Sequence, residues 1–221
     1  MRFLTTFVLS LLLFCFISCS SDNKKDSADA TAKAEVSDKT GQTTLKIENY
    51  EMSGIPFDLN GKPVSIAGIT FVPATQWQDL GASNMRMADY TYGPLENDVD
   101  SATLSVFYFG ESNGGSIEAN LDRWIRQMSF ADGRDPHKSA IQNQMVVEGM
   151  NVHIVTVLGN YNAPVGGMMS AQTVSKENYR LIGAVVEAPE GNVFFKLTGP
   201  EYTARIMTEA FITMIKQIKK N

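Results

Sequence analysis

A pair of glycines stands directly before a segment with helical periodicity in this chain of 221 residues. Gly114 and Gly115 precede Ser116, and the free backbone N–H groups at the start of such a helix could hold an anion. The pair lacks the Lys-Ser/Thr ending of a phosphate-binding P-loop and the GxGxxG spacing of a dinucleotide site. The simpler interpretation is a tight turn between a strand and a helix, and both interpretations stay open.

Three polar side chains form a strip along the same predicted helix. Asn120, Arg123 and Gln127 are three and four positions apart, so they lie on one side of the helix, beside its apolar face. The guanidinium of Arg123 suits a carboxylate or the backbone of a partner protein. The alternative, which is simpler, is a network that ties the helix to the edge of a sheet. The candidate binding residues are Arg86, Gly114, Gly115, Asn120, Arg123 and Gln127.

The sequence offers few residues for metal or nucleophilic chemistry. Its two cysteines and two histidines are too few for a zinc site, which takes about four nitrogen or sulfur ligands. His153 lies in an apolar run and His137 in a polar loop without a visible partner, so no catalytic triad is expected. A loop with Glu96, Asp98 and Asp100 lacks the glycine and the distal glutamate of an EF-hand. We therefore expect no metal ion, no cofactor and no catalytic residue.

Segments with strand character, separated by turn signals, predict a domain built mainly from β-strands. Gly149 between two apolar runs indicates a tight hairpin, so the sheet should be largely antiparallel. Apolar residues three and four positions apart predict helices at 116–129 and 201–219, and a shorter helix is expected at 74–80. This pattern is typical of an α+β fold in which the sheet packs between helices. The predicted strands span residues 45–50, 64–72, 85–92, 102–109, 140–148, 152–159, 179–187 and 192–198.

The N-terminus has the features of an export signal. A positively charged residue precedes an apolar run that is shorter than the span of about 20 residues that crosses a bilayer. The stretch Phe16-Ile17-Ser18-Cys19 resembles the lipobox of bacterial lipoproteins, in which the cysteine is lipidated and becomes the first residue of the mature protein. The resemblance implies a signal peptide at 1–18 and a lipidated Cys19. An ordinary secretory signal, or an uncleaved anchor, is the alternative.

A polar segment separates Cys19 from the domain. Residues 19–43 contain no aromatic residue and little apolar surface, so we predict a flexible tether and a single domain at 44–221. The tether has four lysines and five acids, and with Arg2 removed the domain keeps 14 basic and 19 acidic side chains. That balance, without a basic cluster, argues against nucleic-acid binding. Attachment to a membrane is expected through the lipid.

Five short motifs lie along residues 68–218. They are Pro73 followed by Trp77, a Ser-x-Met-Arg-x-Ala segment at 83–88, the strand at 104–110, the segment 114–127 with Trp124, and a Phe-Phe-Lys-Leu-Thr-Gly-Pro turn at 194–200. Together they resemble a group of exported bacterial lipoproteins with a PsbP/Mog1-like domain, an antiparallel sheet sandwiched between helices. Known members of that fold act mainly as binding or assembly accessories. The resemblance therefore implies a role other than catalysis.

Two functional hypotheses follow. The first is a lipid-anchored cell-envelope protein whose domain binds a protein partner as an accessory module. The outer membrane, facing the periplasm, is favoured because Ser20 follows the cysteine, by resemblance to the sorting rule of Gram-negative lipoproteins. The second is a hydrolase-like enzyme that holds an anionic substrate with Arg86 or Arg123 and uses an acid such as Glu118 as base. An enzyme of that kind needs its arginine and its carboxylate in one concave pocket.

Overall fold

A computed structural model of the chain describes residues 55–83, 85–166 and 172–221. The predicted signal peptide, Cys19, the tether and the strand at 45–50 lie outside these residues and stay predictions. Within these ranges no helix is long and apolar enough to cross a membrane.

The described residues form eleven strands, two α-helices and one short 3-10 helix. In chain order they are β1 (Val64–Ile66), β2 (Ile69–Phe71), β3 (Gln78–Asp79), β4 (Arg86–Tyr92), β5 (Ala102–Tyr108), α1 (Ile117–Ile125), β6 (Met128–Ser129), the 3-10 helix (Pro136–Lys138), β7 (Ile141–Val147), β8 (Met150–Pro164), β9 (Thr173–Ala188), β10 (Gly191–Pro200), α2 (Glu201–Lys216) and β11 (Lys219–Lys220).

Eight of these strands form one antiparallel sheet in the order β3-β4-β5-β10-β9-β8-β6, with β7 paired to β8. The hairpin predicted at Gly149 is confirmed, since Val147 opposes Met150 across it. Glu148 and Gly149 have φ angles of 50° and 76°. Two successive left-handed residues give a turn whose twist matches that of the flanking strands, which is why the strands pair in this register.

The two α-helices cover opposite faces of this sheet. Side chains alternate along β9, so Leu181 and Val185 pack in the α1 core, whereas Ile182 and Ala184 pack in the α2 core. Gly183 sits under α1, because a Cβ atom there would lie 2.1 Å from the Trp124 ring. The predicted α+β fold, a largely antiparallel sheet packed between helices, is confirmed.

Both long predicted helices are present and shorter than expected. α1 begins after Ser116, whose Oγ accepts a hydrogen bond from the backbone N–H of Ala119 at 3.1 Å. α2 follows Pro200, whose fixed φ suits the entry into a helix. The predicted helix ends at 129 and 219 were wrong, because β6 and β11 occupy those positions and pair with β8 and β2.

The short helix predicted at 74–80 is absent. The N–H of Trp77 donates to the carbonyl of Ala74 at 3.2 Å, which makes a single turn. The chain then enters β3, which pairs with β4. Burial of the Trp77 ring beside Tyr90 explains the apolar periodicity that suggested a helix.

The strand predicted at 64–72 is a hairpin of β1 and β2. Ala67 and Gly68 have φ angles of 52° and 77° and reverse the chain between the two strands. With β11 they form a second sheet of three strands in the order β1-β2-β11. A turn with alanine in its first position carries a weaker sequence signal than Asn-Gly, so the run appears continuous in the sequence.

Candidate functional site

A cavity of about 380 Å³ opens on the α1 face of the large sheet, between α1 and strands β4, β5, β8 and β10. We call it the cationic cavity, because the described residues that line it include Arg86, Arg123 and Lys196 and no aspartate or glutamate. Its other lining residues are Thr103, Ser105, Phe107, Phe109, Trp124, Gln127, Tyr161, Ala163, Pro164, Phe194 and Thr198.

The pairing of β5 with β10 positions the side chains that form the floor of the cationic cavity. Ser105 lies opposite Lys196 in the register, and Thr103 lies opposite Thr198. Because side chains alternate along a strand, these polar residues face α1, while the residues between them enter the α2 core. Two neighbouring strands thus contribute polar side chains to one face without opening the core behind them.

Arg86 reaches the cavity through an irregularity in β4. The register between β4 and β5 shifts between Arg86 and Ala88, so that Arg86 opposes Phe107. Its Nη1 lies 2.7 Å from Oδ2 of Asp89. Asp89 is buried and also accepts a hydrogen bond from Oγ of Ser105 at 2.6 Å. One carboxylate behind the lining therefore compensates one of the three cations.

The buried side-chain amide of Asn120 positions the guanidinium of Arg123. Nη2 of Arg123 donates to Oδ1 of Asn120 at 2.6 Å. Nδ2 of Asn120 donates in turn to the carbonyl oxygens of Gly114, at 2.7 Å, and Ser116, at 2.8 Å. Asn120 thus ties the start of α1 to the guanidinium, and both interpretations of the polar strip describe part of it: Asn120 fixes the helix, and Arg123 and Gln127 line the cavity.

The structure brings together three of the six candidate binding residues. Arg86, Arg123 and Gln127 line the cationic cavity, and Asn120 supports it from α1. Gly114 and Gly115 do not line it. A Cβ at Gly114, where φ is 98°, would meet the rings of Phe109 and Phe194 at 3.0 Å. The requirement for glycine there comes from close packing at the turn into α1.

Lys196 is the functional candidate that the sequence analysis missed. Its Nζ donates to Oε1 of Gln127 at 2.5 Å and to the hydroxyl of Tyr161 at 3.1 Å. Burial, together with the smaller effect of the nearby charges of Arg123 and Arg86, lowers the pKa of Lys196 to about 7. A signal was present: Lys196 is the one charged residue within the apolar run from Val193 to Leu197.

A smaller cavity of about 270 Å³ lies on the other side of α1 and contains both histidines. His137, which showed no partner in the sequence, lies 2.7 Å from Asp122 and 2.9 Å from Asp135, and hydrogen bonds to these carboxylates raise its pKa. His153 pairs with Glu187 at 2.8 Å. Among the described residues, no three histidine, cysteine or acidic side chains are arranged to hold a metal ion.

The carboxylate assigned to the enzyme hypothesis lies in this smaller cavity. Glu118 is part of its lining, whereas Arg86 and Arg123 line the cationic cavity. The structure therefore separates the predicted base from the predicted substrate-holding arginines. Glu118 and either arginine do not meet in one pocket, because Glu118 and Arg123 project from different sides of α1.

The acidic loop before β5 is engaged with the rest of the domain. Glu96 accepts a hydrogen bond from the hydroxyl of Tyr202 at 2.6 Å, and Asp98 accepts hydrogen bonds from the backbone and the hydroxyl of Thr203. Asp100 pairs with Lys176 at 2.8 Å. The three carboxylates have separate partners, which tie the loop to α2 and to β9.

Comparisons with known proteins add little about function. No family model matches the chain, and no curated protein matches it. Among solved structures, it is similar to the solution structure of cyanobacterial PsbP (CyanoP) from Synechocystis, with 10% sequence identity and a TM-score of 0.43. The match covers 76% of this chain and 96% of that chain. This likeness does not indicate a ligand or an activity.

Proposed function

We propose that this chain is a lipid-anchored cell-envelope protein whose folded domain is a binding module that takes an anionic group into the cationic cavity. The observation that carries the proposal is the convergence of Arg86, Arg123 and Lys196 on one concave surface, where the described lining residues include no carboxylate. Asp89 compensates Arg86, whereas among the described residues no carboxylate pairs with Arg123 or Lys196, and for the enclosed amine of Lys196 an unpaired charge is costly. An anionic ligand would supply the missing partner.

The shape and the walls of the cavity support a small ligand. Its volume of about 380 Å³ falls in the range of small-molecule sites, roughly 300–1,000 Å³. The guanidinium of Arg123 offers several N–H donors in one plane, which matches the two oxygens of a carboxylate or the oxygens of a phosphate. Aromatic rings of Phe107, Trp124 and Phe194 form the apolar part of the lining. An organic anion with a short apolar part fits both features.

A binding test separates this proposal from a purely structural role for the arginines. Full-length protein in detergent is titrated with acetate and with inorganic phosphate, and binding is followed by calorimetry or NMR. We expect at least one of them to bind, and Arg123→Ala to weaken that binding by about tenfold, because a hydrogen bond to a charged group is lost.

Arg126→Ala provides the matched control. Arg126 lies on the same helix, pairs with Asp122 at 2.9 Å and does not line the cationic cavity. We expect this variant to bind the anion as the wild type does. Absence of binding by both anions, or equal weakening in the two variants, would contradict the proposal.

The anchoring part of the proposal has its own test. The lipobox-like stretch that ends at Cys19 supports lipidation, and Ser20 supports sorting to the outer membrane. Cys19→Ala in the native host should move the protein from the outer-membrane fraction to the soluble periplasmic fraction or leave it as an unprocessed precursor. Wild-type processing and outer-membrane fractionation of Cys19→Ala would contradict the lipid anchor and leave the cavity proposal untouched.

A further inference from the structure

The amine of Lys196 has an unusual set of neighbours. Its hydrogen-bond partners are the amide oxygen of Gln127 and the hydroxyl of Tyr161, and neither is an anion. Among the described residues no carboxylate forms an ion pair with it, and its charged neighbours are Arg86 and Arg123. A lysine that is enclosed and unpaired in this way differs from the exposed lysines of the domain, whose ammonium groups are hydrated.

Such surroundings change what the amine can do. Because enclosure and two neighbouring guanidinium groups disfavour the ammonium form, the pKa falls to about 7 and a large share of Lys196 carries a free lone pair at neutral pH. A lysine amine activated by desolvation and a neighbouring cation is a nucleophile toward carbonyl carbon. Because Lys196 lines the cavity that we propose holds an anion, its amine would lie beside the bound ligand.

We propose that Nζ of Lys196 forms a reversible imine with a small carbonyl compound that also carries an anionic group, of which a 2-oxo acid is the simplest example. The inference rests on the proposed function, since Arg86 and Arg123 would hold the anionic group while the carbonyl carbon faces the amine. It narrows the ligand class from anions in general to anions with an aldehyde or ketone group.

The step balances without an oxidant or a reductant. The lone pair of Nζ attacks the carbonyl carbon and forms a C–N bond. The nitrogen then gives up its two protons, the former carbonyl oxygen takes them up, and this oxygen leaves as water while the C=N bond forms. The hydroxyl of Tyr161, 3.1 Å from Nζ, can pass one of these protons. Burial raises the pKa of Tyr161, so its hydroxyl stays protonated and available as a donor.

Reductive trapping tests the imine directly. Full-length protein in detergent at pH 7 is incubated with glyoxylate and cyanoborohydride, which reduces an imine to a stable secondary amine, and the modified lysine is identified by peptide mass spectrometry. We expect modification of Lys196 to exceed that of each exposed lysine by about tenfold or more, because those lysines remain almost fully charged at pH 7. Acetaldehyde, which lacks the carboxylate, should modify Lys196 less.

Two variants locate the reaction. Lys196→Arg keeps the positive charge, so it should still bind acetate but lose the dominant adduct. Lys138→Arg changes an exposed lysine outside the cationic cavity and should leave the adduct unchanged. Peptide mapping of the wild type gives the same assignment without any variant, so a folding defect in Lys196→Arg does not obscure the result.

The outcomes separate this inference from the proposed function. Modification spread evenly over exposed lysines, or equal labelling by acetaldehyde and glyoxylate, would overturn the imine. If acetate or phosphate still binds in an Arg123-dependent way, the proposed anion site stands without it. If neither acetate nor phosphate binds and Lys196 is not preferentially modified, both fail together.

Discussion

The two faces of the large sheet are built for different purposes. The α2 face is sealed by large apolar side chains, among them Phe71, Phe195 and Phe211, each fully buried. The α1 face has a smaller apolar core, and beside it lies the cationic cavity with Arg123 and Lys196. The comparison indicates that the α2 side supplies most of the hydrophobic stabilisation, so the α1 side can carry the charges that we propose bind an anion.

The same strands serve both faces. Along β10, Phe195 and Leu197 enter the α2 core, while Lys196 and Thr198 line the cavity. A slip of one residue in the pairing of β10 would exchange the two sets and bury Lys196 among apolar side chains. The apolar residues on the α2 side therefore also fix the position of the polar residues on the α1 side.

The largest effect is expected from truncating the α2 core. Phe211→Ala removes a fully buried ring and should lower the free energy of unfolding by about 3–5 kcal/mol, measured by urea denaturation. Phe109→Ala is the matched control, because this ring lies at the edge of the cationic cavity and is only partly buried. A loss in Phe109→Ala equal to that in Phe211→Ala would contradict the assignment of stability to the α2 side.

The next largest effect on stability is expected from disturbing the packing of α1 on the sheet. Gly183→Ala would place a Cβ 2.1 Å from Cε3 of Trp124, and such overpacking costs about 1–3 kcal/mol. The displaced α1 would also shift Arg123, so anion binding should weaken together with stability. Urea denaturation and the acetate or phosphate titration measure the two effects. Unchanged binding in a destabilised Gly183→Ala variant would show that α1 does not position the site.

Lys196 makes the α1 side sensitive to pH. Its pKa is about 7 in the folded state, below the usual value of 10.5, so the folded state binds fewer protons than the unfolded state between these values. Above the unfolded pKa of 10.5, Lys196 is neutral in both states and does not destabilise the fold. The destabilisation grows as the pH falls from 10.5 toward 7, and it has its full value below pH 7. Lys196→Met should remove this dependence, so its gain in stability over the wild type should be larger at pH 6 than at pH 10.

Anion affinity should fall as the pH rises, whereas the stability of the fold should rise. The ammonium form of Lys196 attracts the anion, so acetate or phosphate affinity should fall as the pH rises through the pKa of Lys196, after correction for the titration of phosphate itself. Titrations at pH 6 and pH 8.5 measure the change, and Lys196→Met should flatten it. A wild-type affinity for acetate that is constant over this range would mean that Lys196 does not contribute its charge to the site.

Much of the fold was predictable from the sequence because its signals are local. The Gly149 hairpin and the apolar runs of β9 and β10 are signals carried by neighbouring residues alone. The predictions of secondary structure failed where a contact with a residue distant in the sequence determines the local conformation. Trp77 packs beside Tyr90 of β4, and a turn followed by a strand therefore has apolar residues at a spacing like that of a helix. Likewise, the last residues of both predicted helices pair with strands elsewhere in the chain.

The site was predictable in part for the same reason. Asn120 and Arg123 lie on α1 and Gln127 lies shortly after its end, so their spacing is visible in the sequence. Lys196 joins them only because β10 borders the same cavity, and Tyr161 only because β8 pairs with β6 at this point, with Tyr161 opposite Met128. No spacing rule connects residues that are brought together by strand order. A charged residue inside an apolar strand is the local sign that such a position needs an explanation.

The smallest predicted effect lies on the other side of α1. His137 joins the 3-10 helix to α1 through Asp122, and its pKa is raised by hydrogen bonds to Asp122 and Asp135. The stabilisation is therefore complete below the unfolded pKa of His137 and is lost as the pH rises through the higher folded pKa. His137→Asn should lower thermal stability at pH 6 and have little effect at pH 8.5, and the difference should be small because these groups are exposed and solvent screens them. Equal losses at both pH values would mean that His137 acts through packing, and that α1 is stabilised on this side without its charge.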